Sequence, residues 1–305
     1  MKKQKTKRAF GHIKLSAGDK IFIGIVYVLL TLVLVLTAYP LIYVVSASFS
    51  SPVAVSQGKV FLWPIKPTLL AYNTVLGYSS LWTGFLNSII YTIAGTAIAL
   101  VMNTMAAYPL SRKEFEGRGF LSIVLAITMY VSGGLVPTYL LISDLNMLDT
   151  MWALILPGAA SVWYIVMIRT YFANSVPEEL YEASQLDGCS DFAYMIKILI
   201  PLSGPILAVI GLYRAVAIWN DYFNGMIYLT KQSLYPMQVV LRNILMLGSI
   251  DLTNIEDLEA AEDLIGLSSL MKYAVIVVAS VPAMVMYPFV QRFFVKGVTI
   301  GSLKA

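Results

Sequence analysis

Arg214 and Asp221 stand seven residues apart inside a long apolar run, with Trp219, Asn220 and Tyr222 beside the acid and Tyr213 and Phe223 close by. A charge is costly to bury in such surroundings, so each is a candidate for function. Seven residues make almost two helical turns, which predicts both charges near one face of a helix. A guanidinium, a carboxylate, an amide and several rings can together hold a polar solute. The rings stack on its flat faces and the polar groups bond its hydroxyls. The same residues also admit a structural reading, in which Arg214 pairs with another subunit and Asp221 caps an element near the outer interface. Residue types alone leave the two readings even. Catalysis is poorly served: the one cysteine, Cys189, excludes an intrachain disulfide or a cysteine metal cluster. The one histidine, His12, lies in the N-terminal tail, so histidine-based nucleophilic or zinc chemistry lacks its base or ligand set.

What must position these groups is a membrane. Only 12% of the 305 residues are charged and 58% are hydrophobic, where a soluble domain carries about 25% charged residues. The apolar residues gather in runs of roughly 20 or more, enough to cross about 30 Å of hydrocarbon. The expected fold class is therefore all-α: a polytopic membrane protein with six transmembrane helices at about 21–46, 84–109, 119–142, 151–173, 203–229 and 271–294. The first run is too long for the apolar region of a cleaved signal peptide and reads as a retained span.

Basic residues set the orientation. Seven of the 21 (Lys2, Lys3, Lys5, Lys7, Arg8, Lys14 and Lys20) precede the first span, and Arg112, Lys113 and Arg118 fill the loop after the second. The 143–150 loop has none, while Arg292, Lys296 and Lys304 come late in the chain. An excess of Lys and Arg marks the cytoplasmic side. The basic tail 1–20, the loops 110–118 and 174–202 and the tail 295–305 are thus expected inside, and the loops 47–83 and 230–270 outside. Both termini are then cytoplasmic. The net charge of +4 reads as a topology signal at an anionic leaflet, with no nucleic-acid partner implied. The acidic stretch 251–263 admits a solvated surface, the more common fate of a charge run, and its role stays open at this point. Asn87 and Asn103, in the second span, are expected to bond neighbouring helices.

The 174–202 loop is unlike the rest. Ser175-Val-Pro-Glu178 reads as a capping box with Pro177 in the first turn, and Gly188 suits the left-handed position that ends a helix. Ser190 or Asp191 can cap a second short helix, which must end near Pro201. Membrane-surface helices are usually basic on their polar face, whereas this one carries Glu178, Glu179 and Glu182. With the small residues Ala183, Ser184 and Gly188 it reads as a docking element for a protein.

Glu182-Ala183-Ser184, three residues, Gly188, nine residues and then Ile198-Leu199-Ile200-Pro201 resembles the EAA---G---------I-LP motif of permease subunits of ATP-binding-cassette importers. Ser184 stands for the second alanine and Ile200 for the leucine, both close in size. Trp219–Phe223, Leu234-Tyr235-Pro236 and Gln291–Gly297 are similar to the carbohydrate branch, of MalG/LplC-like type, so the resemblance covers about 20–305. It implies the type I importer permease fold, in a multi-pass subunit of the bacterial cytoplasmic membrane that is not itself an enzyme. That subunit forms half of the pathway for a carbohydrate, an oligosaccharide by preference. The implied partners are a second homologous permease, two cytoplasmic ATPase subunits that use ATP and Mg, and an extracellular solute-binding protein. No cofactor is implied for this chain, and it has no GxxxxGK(S/T) phosphate loop. Glu178, Glu182, Ala183, Ser184, Gly188 and Pro201 become the ATPase-coupling positions. Arg214, Trp219, Asn220, Asp221 and Tyr222 become candidates for the translocation pathway. An ion-coupled secondary transporter would favour inverted repeats and paired intramembrane acids, neither of which is evident. A purely structural membrane subunit would not need the motif.

Overall fold

The computed structural model of the chain describes residues 16–247, 270–282 and 284–285, and the described residues are helical with no strand. The basic residues Lys2–Lys14, the acidic stretch 251–263, the motif residues 291–297 and the tail 295–305 lie outside the described residues.

Two helices are long and apolar enough to cross a membrane alone: α1 (Ala17–Ser48), and the later Ser79–Ser111. No residue in the most apolar 18-residue window of α1 is buried, although the helix is apolar all round. Only its end is buried, where Ser46, Ala47 and Ser48 meet the outer segment formed by α2 (Pro52–Ser56) and α3 (Leu70–Leu76). Serines knot that junction. Ser46 Oγ donates to Leu62 O (2.6 Å), Ser50 Oγ donates to Ser46 O (2.7 Å), and Ile65 N donates to Ser50 Oγ (3.1 Å).

The helix Ser79–Ser111, α4, is the spine: among the described residues, the three apolar clusters each contain or rest on its residues. Gly84, Ser88, Gly95, Ala99, Asn103 and Ala107 are buried in it and run along it at steps of four and seven residues. Small side chains on one stripe let neighbouring backbones come close, which is how helices associate where lipid removes the hydrophobic drive. At Gly95 a Cβ would stand 2.6 Å from Ile218 Cδ1, so the stripe is tight.

The remaining apolar runs are broken. The run expected as one span at 119–142 forms α5 (Arg118–Tyr130) and α6 (Leu135–Asp144), bent by 112°. The run at 151–173 gives α7 (Trp152–Ile155) and α8 (Val162–Ser175), parted at Pro157 and Gly158. Next come α9 (Glu179–Leu186), α10 (Asp191–Tyr194), a π turn at Met195–Leu199 and α11 (Ile200–Leu202). After an 81° bend follow α12 (Gly204–Trp219) and α13 (Phe223–Tyr228). The described residues close with α14 (Met237–Leu247) and a helix Leu270–Pro282, α15. Proline and π turns are ordinary causes of helix bends. Counting each bent pair as one span, up to four segments are long and apolar enough to cross.

Main-chain groups freed by these breaks must find partners at membrane depth, and α4 supplies several. Asn103 Nδ2 donates to Ala99 O (2.6 Å) and Ala159 O (2.8 Å), and its Oδ1 accepts from Ser161 N (2.9 Å). Nearer the other end, Asn87 Nδ2 donates to Ser233 O and Tyr235 O, Tyr91 Oη donates to Leu234 O, and Ser88 Oγ accepts from Met237 N. Both asparagines therefore bind neighbouring segments, as their position in an apolar run implies. Asn103→Ala orphans a buried carbonyl and a buried N–H, a loss on the order of 2 kcal/mol. A fall in the thermal midpoint of the purified protein in detergent is expected; an unchanged midpoint would remove Asn103 from the staple.

Candidate functional site

The docking element is built from its turn outward. Val176, the residue before Pro177, takes an extended conformation (φ −105°, ψ 119°), as proline imposes on its predecessor. Ser175 therefore stays at the end of α8, and α9 starts behind Glu178 with no side-chain cap. The capping box expected at Ser175–Glu178 does not form. At the far end, Gly188 has φ +73°. Its N–H bonds Gln185 O (3.0 Å) while Cys189 N–H bonds Ser184 O (2.9 Å), the paired bonds of a glycine-terminated helix. Ser190 Oγ then caps α10 by accepting from Ala193 N (3.3 Å). Pro201 lies in α11, two residues before the chain turns at Ser203.

Two faces of α9 can now be told apart. Tyr181 is half-buried and Ser184 buried, its hydroxyl donating to Tyr181 O. Ser184, read from sequence as a close-approach residue for a partner, faces its own chain instead. Glu179, Glu182, Ala183 and Leu186 occupy the outward face at i, i+3, i+4 and i+7, and all are exposed. Leu186 is 90% exposed and Phe192, just past the turn, 62%. Sequence reading passed over these two; the available signal was an apolar pair out of step with the inward stripe of Tyr181 and Ser184.

What holds the element to the bundle is an arginine boxed by tyrosines. Arg112, at the end of α4, sets its guanidinium carbon 4.2 Å from the ring centre of Tyr181, 4.9 Å from that of Tyr194 and 5.2 Å from that of Tyr108. Tyr181 and Tyr194 meet edge to face. Asp191 Oδ1 accepts from Tyr181 Oη (2.9 Å), Gln185 Nε2 (3.3 Å) and Tyr108 Oη (3.4 Å). Burial, and then this carboxylate, raise the Tyr181 phenol above its ordinary range, so the ring stays a neutral donor. Beside the box, Lys113 Nζ and Glu178 Oε2 lie 2.6 Å apart. The bond keeps Lys113 charged to higher pH, but both side chains are exposed and the pair sets register more than stability. From sequence Arg112 reads only as a topology charge and Asp191 only as a possible cap, and the three tyrosines carry no signal of the box.

The intramembrane candidates do not share one pocket. Helix α12 ends at Trp219, so Asp221 lies beyond it and not on a common helical face with Arg214. Asp221 caps α13, accepting from Asn224 N (3.1 Å) and Asn224 Nδ2 (2.7 Å), which fits its structural reading. Asn220 is exposed and donates to Val216 O; Tyr222 is exposed, edge-on to Phe223. Trp219 is buried against Phe85 and lines an apolar cavity of about 620 Å³ with Trp82, Ile89, Val278 and Val281. Arg214 reaches the break between α7 and α8, where its Nη2 donates to Ile155 O (3.3 Å). Its guanidinium fills the place of a side chain at Gly158, where a Cβ would stand 2.7 Å from Nη1. Asp149 clasps Thr230 and Lys231 by accepting from Thr230 N, Thr230 Oγ1 and Lys231 N. Chiefly the bonds to Thr230 hold its carboxyl below the usual range.

Comparison with known proteins agrees with this arrangement. Residues 105–300 match the family model described as binding-protein-dependent transport system inner membrane component. The chain is 36% identical over 269 residues to Protein LplC of Bacillus subtilis, covering 88% of this chain and 90% of that one. It is 34% identical over 286 residues to the polygalacturonan/rhamnogalacturonan transport system permease protein YtcP of the same organism, covering 94% and 99%. A crystal structure of a bacterial ABC transporter involved in the import of the acidic polysaccharide alginate contains a chain 33% identical to this one. The two superpose with a TM-score of 0.82, over 92% of this chain and 99% of that one.

Proposed function

We propose, on the premise that the chain belongs to the family of binding-protein-dependent transport system inner membrane components, that it is the permease subunit of an ATP-driven carbohydrate importer. The observation that carries the coupling role is the outward face of α9. A rigid helix ends at a left-handed glycine and presents two carboxylates, a small residue and an almost fully exposed leucine. Such a face invites a groove on another protein, since a leucine this exposed gains nothing from water. Glu182, Ala183, Leu186 and Gly188 enter the groove in this reading, while Glu178 and Pro201 bound the element. Closure of an ATPase dimer then tilts α9, and α9 biases the bundle between two arrangements.

The cargo is an oligosaccharide, a reading supported by the polysaccharides named for YtcP and for the alginate importer. A second, homologous permease completes the pathway. Two cytoplasmic ATPase subunits bind ATP and Mg, and an extracellular binding protein delivers the sugar. The N-terminus, the α9 element and the C-terminus share the cytoplasmic side. Because this chain lacks a phosphate loop, the purified subunit is expected to hydrolyse no ATP above a protein-free blank. Hydrolysis appears only when the ATPase is added back. Activity that co-purifies with the single chain through successive columns would overturn this division of labour.

A further inference from the structure

The exposed apolar surface of α1 runs as far as Val45 and resumes beyond the serine junction. There the chain exposes three apolar side chains in a row: Phe61 (65%), Leu62 (49%) and Trp63 (81%). Looseness does not explain them, because the main chain that carries them is fastened on both sides. Val60 is buried in the cluster that holds Ala47, and Lys59 N donates to Ala54 O (3.0 Å). Leu62 O accepts from Ser46 Oγ, and Ile65 N donates to Ser50 Oγ. Ser51 N donates to Ile65 O (3.0 Å) and Thr68 N to Phe49 O (2.8 Å). A loop pinned this closely, with its largest apolar side chains left outside, presents them to something other than water.

Its place in the fold says what. The bonds to Ser46 and Ser50 hold the loop at the end of α1, a helix long and apolar enough to cross a membrane. The loop therefore stands where hydrocarbon gives way to headgroups, continuous with the lipid-facing surface of α1. Tryptophan is favoured in that layer because its ring is apolar and its N–H is a donor. Lys59 and Lys66 flank the triplet, both exposed, and no aspartate or glutamate occurs from Lys20 to Lys113. Lysine stems lie along apolar surface while their charged ends reach phosphates. Pro64 and Pro67 stiffen the loop. Lys66 takes the left-handed conformation, φ +49°, which a lysine seldom holds unless its surroundings fix it. We propose that Phe61, Leu62 and Trp63 form a membrane seat: they enter the phospholipid headgroup layer at the end of α1, and Lys59 and Lys66 meet its phosphates. The seat sets the height of the first span and is independent of the cargo.

The test uses the full chain in vesicles of phosphatidylcholine and phosphatidylglycerol in equal parts, with Trp63→Phe as the reference. The side chain replaced is 81% exposed, so the fold is kept and the difference between the two emission spectra belongs to Trp63. That emission is expected to be blue-shifted, to lose more than half its intensity to lipids brominated near the ester, and to resist quenching by aqueous acrylamide. Lys59→Glu together with Lys66→Glu should raise acrylamide quenching of Trp63 about two- to five-fold, the scale of one lysine near an anionic surface. Quenching by acrylamide with brominated lipid inert would put the triplet in water and overturn the seat. If the importer's binding protein then shields Trp63, that protein is the occupant. An indole shielded from both quenchers lies against another segment of this chain or a second permease, which equally overturns the seat. Charge reversal without effect would overturn the assignment of the lysines to phosphates.

Discussion

Replacing Gly188 with valine is expected to abolish uptake while leaving the subunit folded in the membrane. Two costs are combined in that change, and they can be separated. The first is local: a β-branched residue at φ +73° resists the left-handed conformation by about 1–2 kcal/mol, which frays the end of α9. The second is external. A Cβ at Gly188 would meet nothing within 4 Å in its own chain, so extra bulk there obstructs only what docks from outside. Asparagine tolerates the left-handed conformation, so Gly188→Asn keeps the turn and adds bulk alone. With docking at this face, Gly188→Asn and Glu182→Lys both lose most of their uptake, and both release the ATPase during detergent purification. Should Gly188→Asn transport normally while Gly188→Val does not, backbone strain explains the glycine and the docking face lies elsewhere. Normal uptake in all three variants would remove α9 from the coupling path.

The second large effect concerns the arginine box. Arg112→Leu removes a cation from three rings at once, each contact contributing roughly 0.5–2 kcal/mol, and leaves the Tyr181–Asp191 side of the element without its tie to α4. Because α4 is the spine on which α8, α12 and α14 rest, a loosened box should let α9 follow the ATPase without moving the bundle. The expected signature is uncoupling. In reconstituted importer, ATP hydrolysis stays within about two-fold while uptake falls at least ten-fold. Lysine keeps the charge but not the planar stacking, so Arg112→Lys should lie between the two. Parallel loss of hydrolysis and uptake would make Arg112 a folding residue, and no loss of either would exclude it from transmission.

Local chemistry made part of this legible in the sequence. A glycine eleven residues past Pro177, followed by a serine and an aspartate, can do little but end one helix and cap the next, and Gly188 and Ser190 do so. Asn103 in an apolar run had to find main-chain partners, and the break at 156–161 provides them. Other features required distant residues. Tyr108, Tyr181 and Tyr194 surround Arg112 only because α8 folds back along α4, and no spacing in the chain announces that. Gly133-Gly134 announces the bend at Val131–Gly134, but the bend at Ser203 escapes hydropathy, which averages across a few irregular residues as if the run were continuous. At Ser175 two local rules competed: a plausible capping box lost to the extended conformation that Pro177 imposes on Val176.

The exposed length of α1 bears on how the surrounding membrane acts on the subunit. From Ile21 to Val45 the helix would reach about 38 Å, against about 30 Å of hydrocarbon, and such a mismatch is met by tilting or by deforming the bilayer. The other rod of similar length, α4, is packed along its stripe by α8, α12 and α14 and is not free to tilt alone. Bilayer thickness therefore enters this molecule as a torque on one lever, whose fulcrum is the serine knot at Ser46 and Ser50. Lipid chain length becomes an input to the segment 50–78, at the opposite end of the chain's first two long helices from α9, where the coupling proposed above would enter.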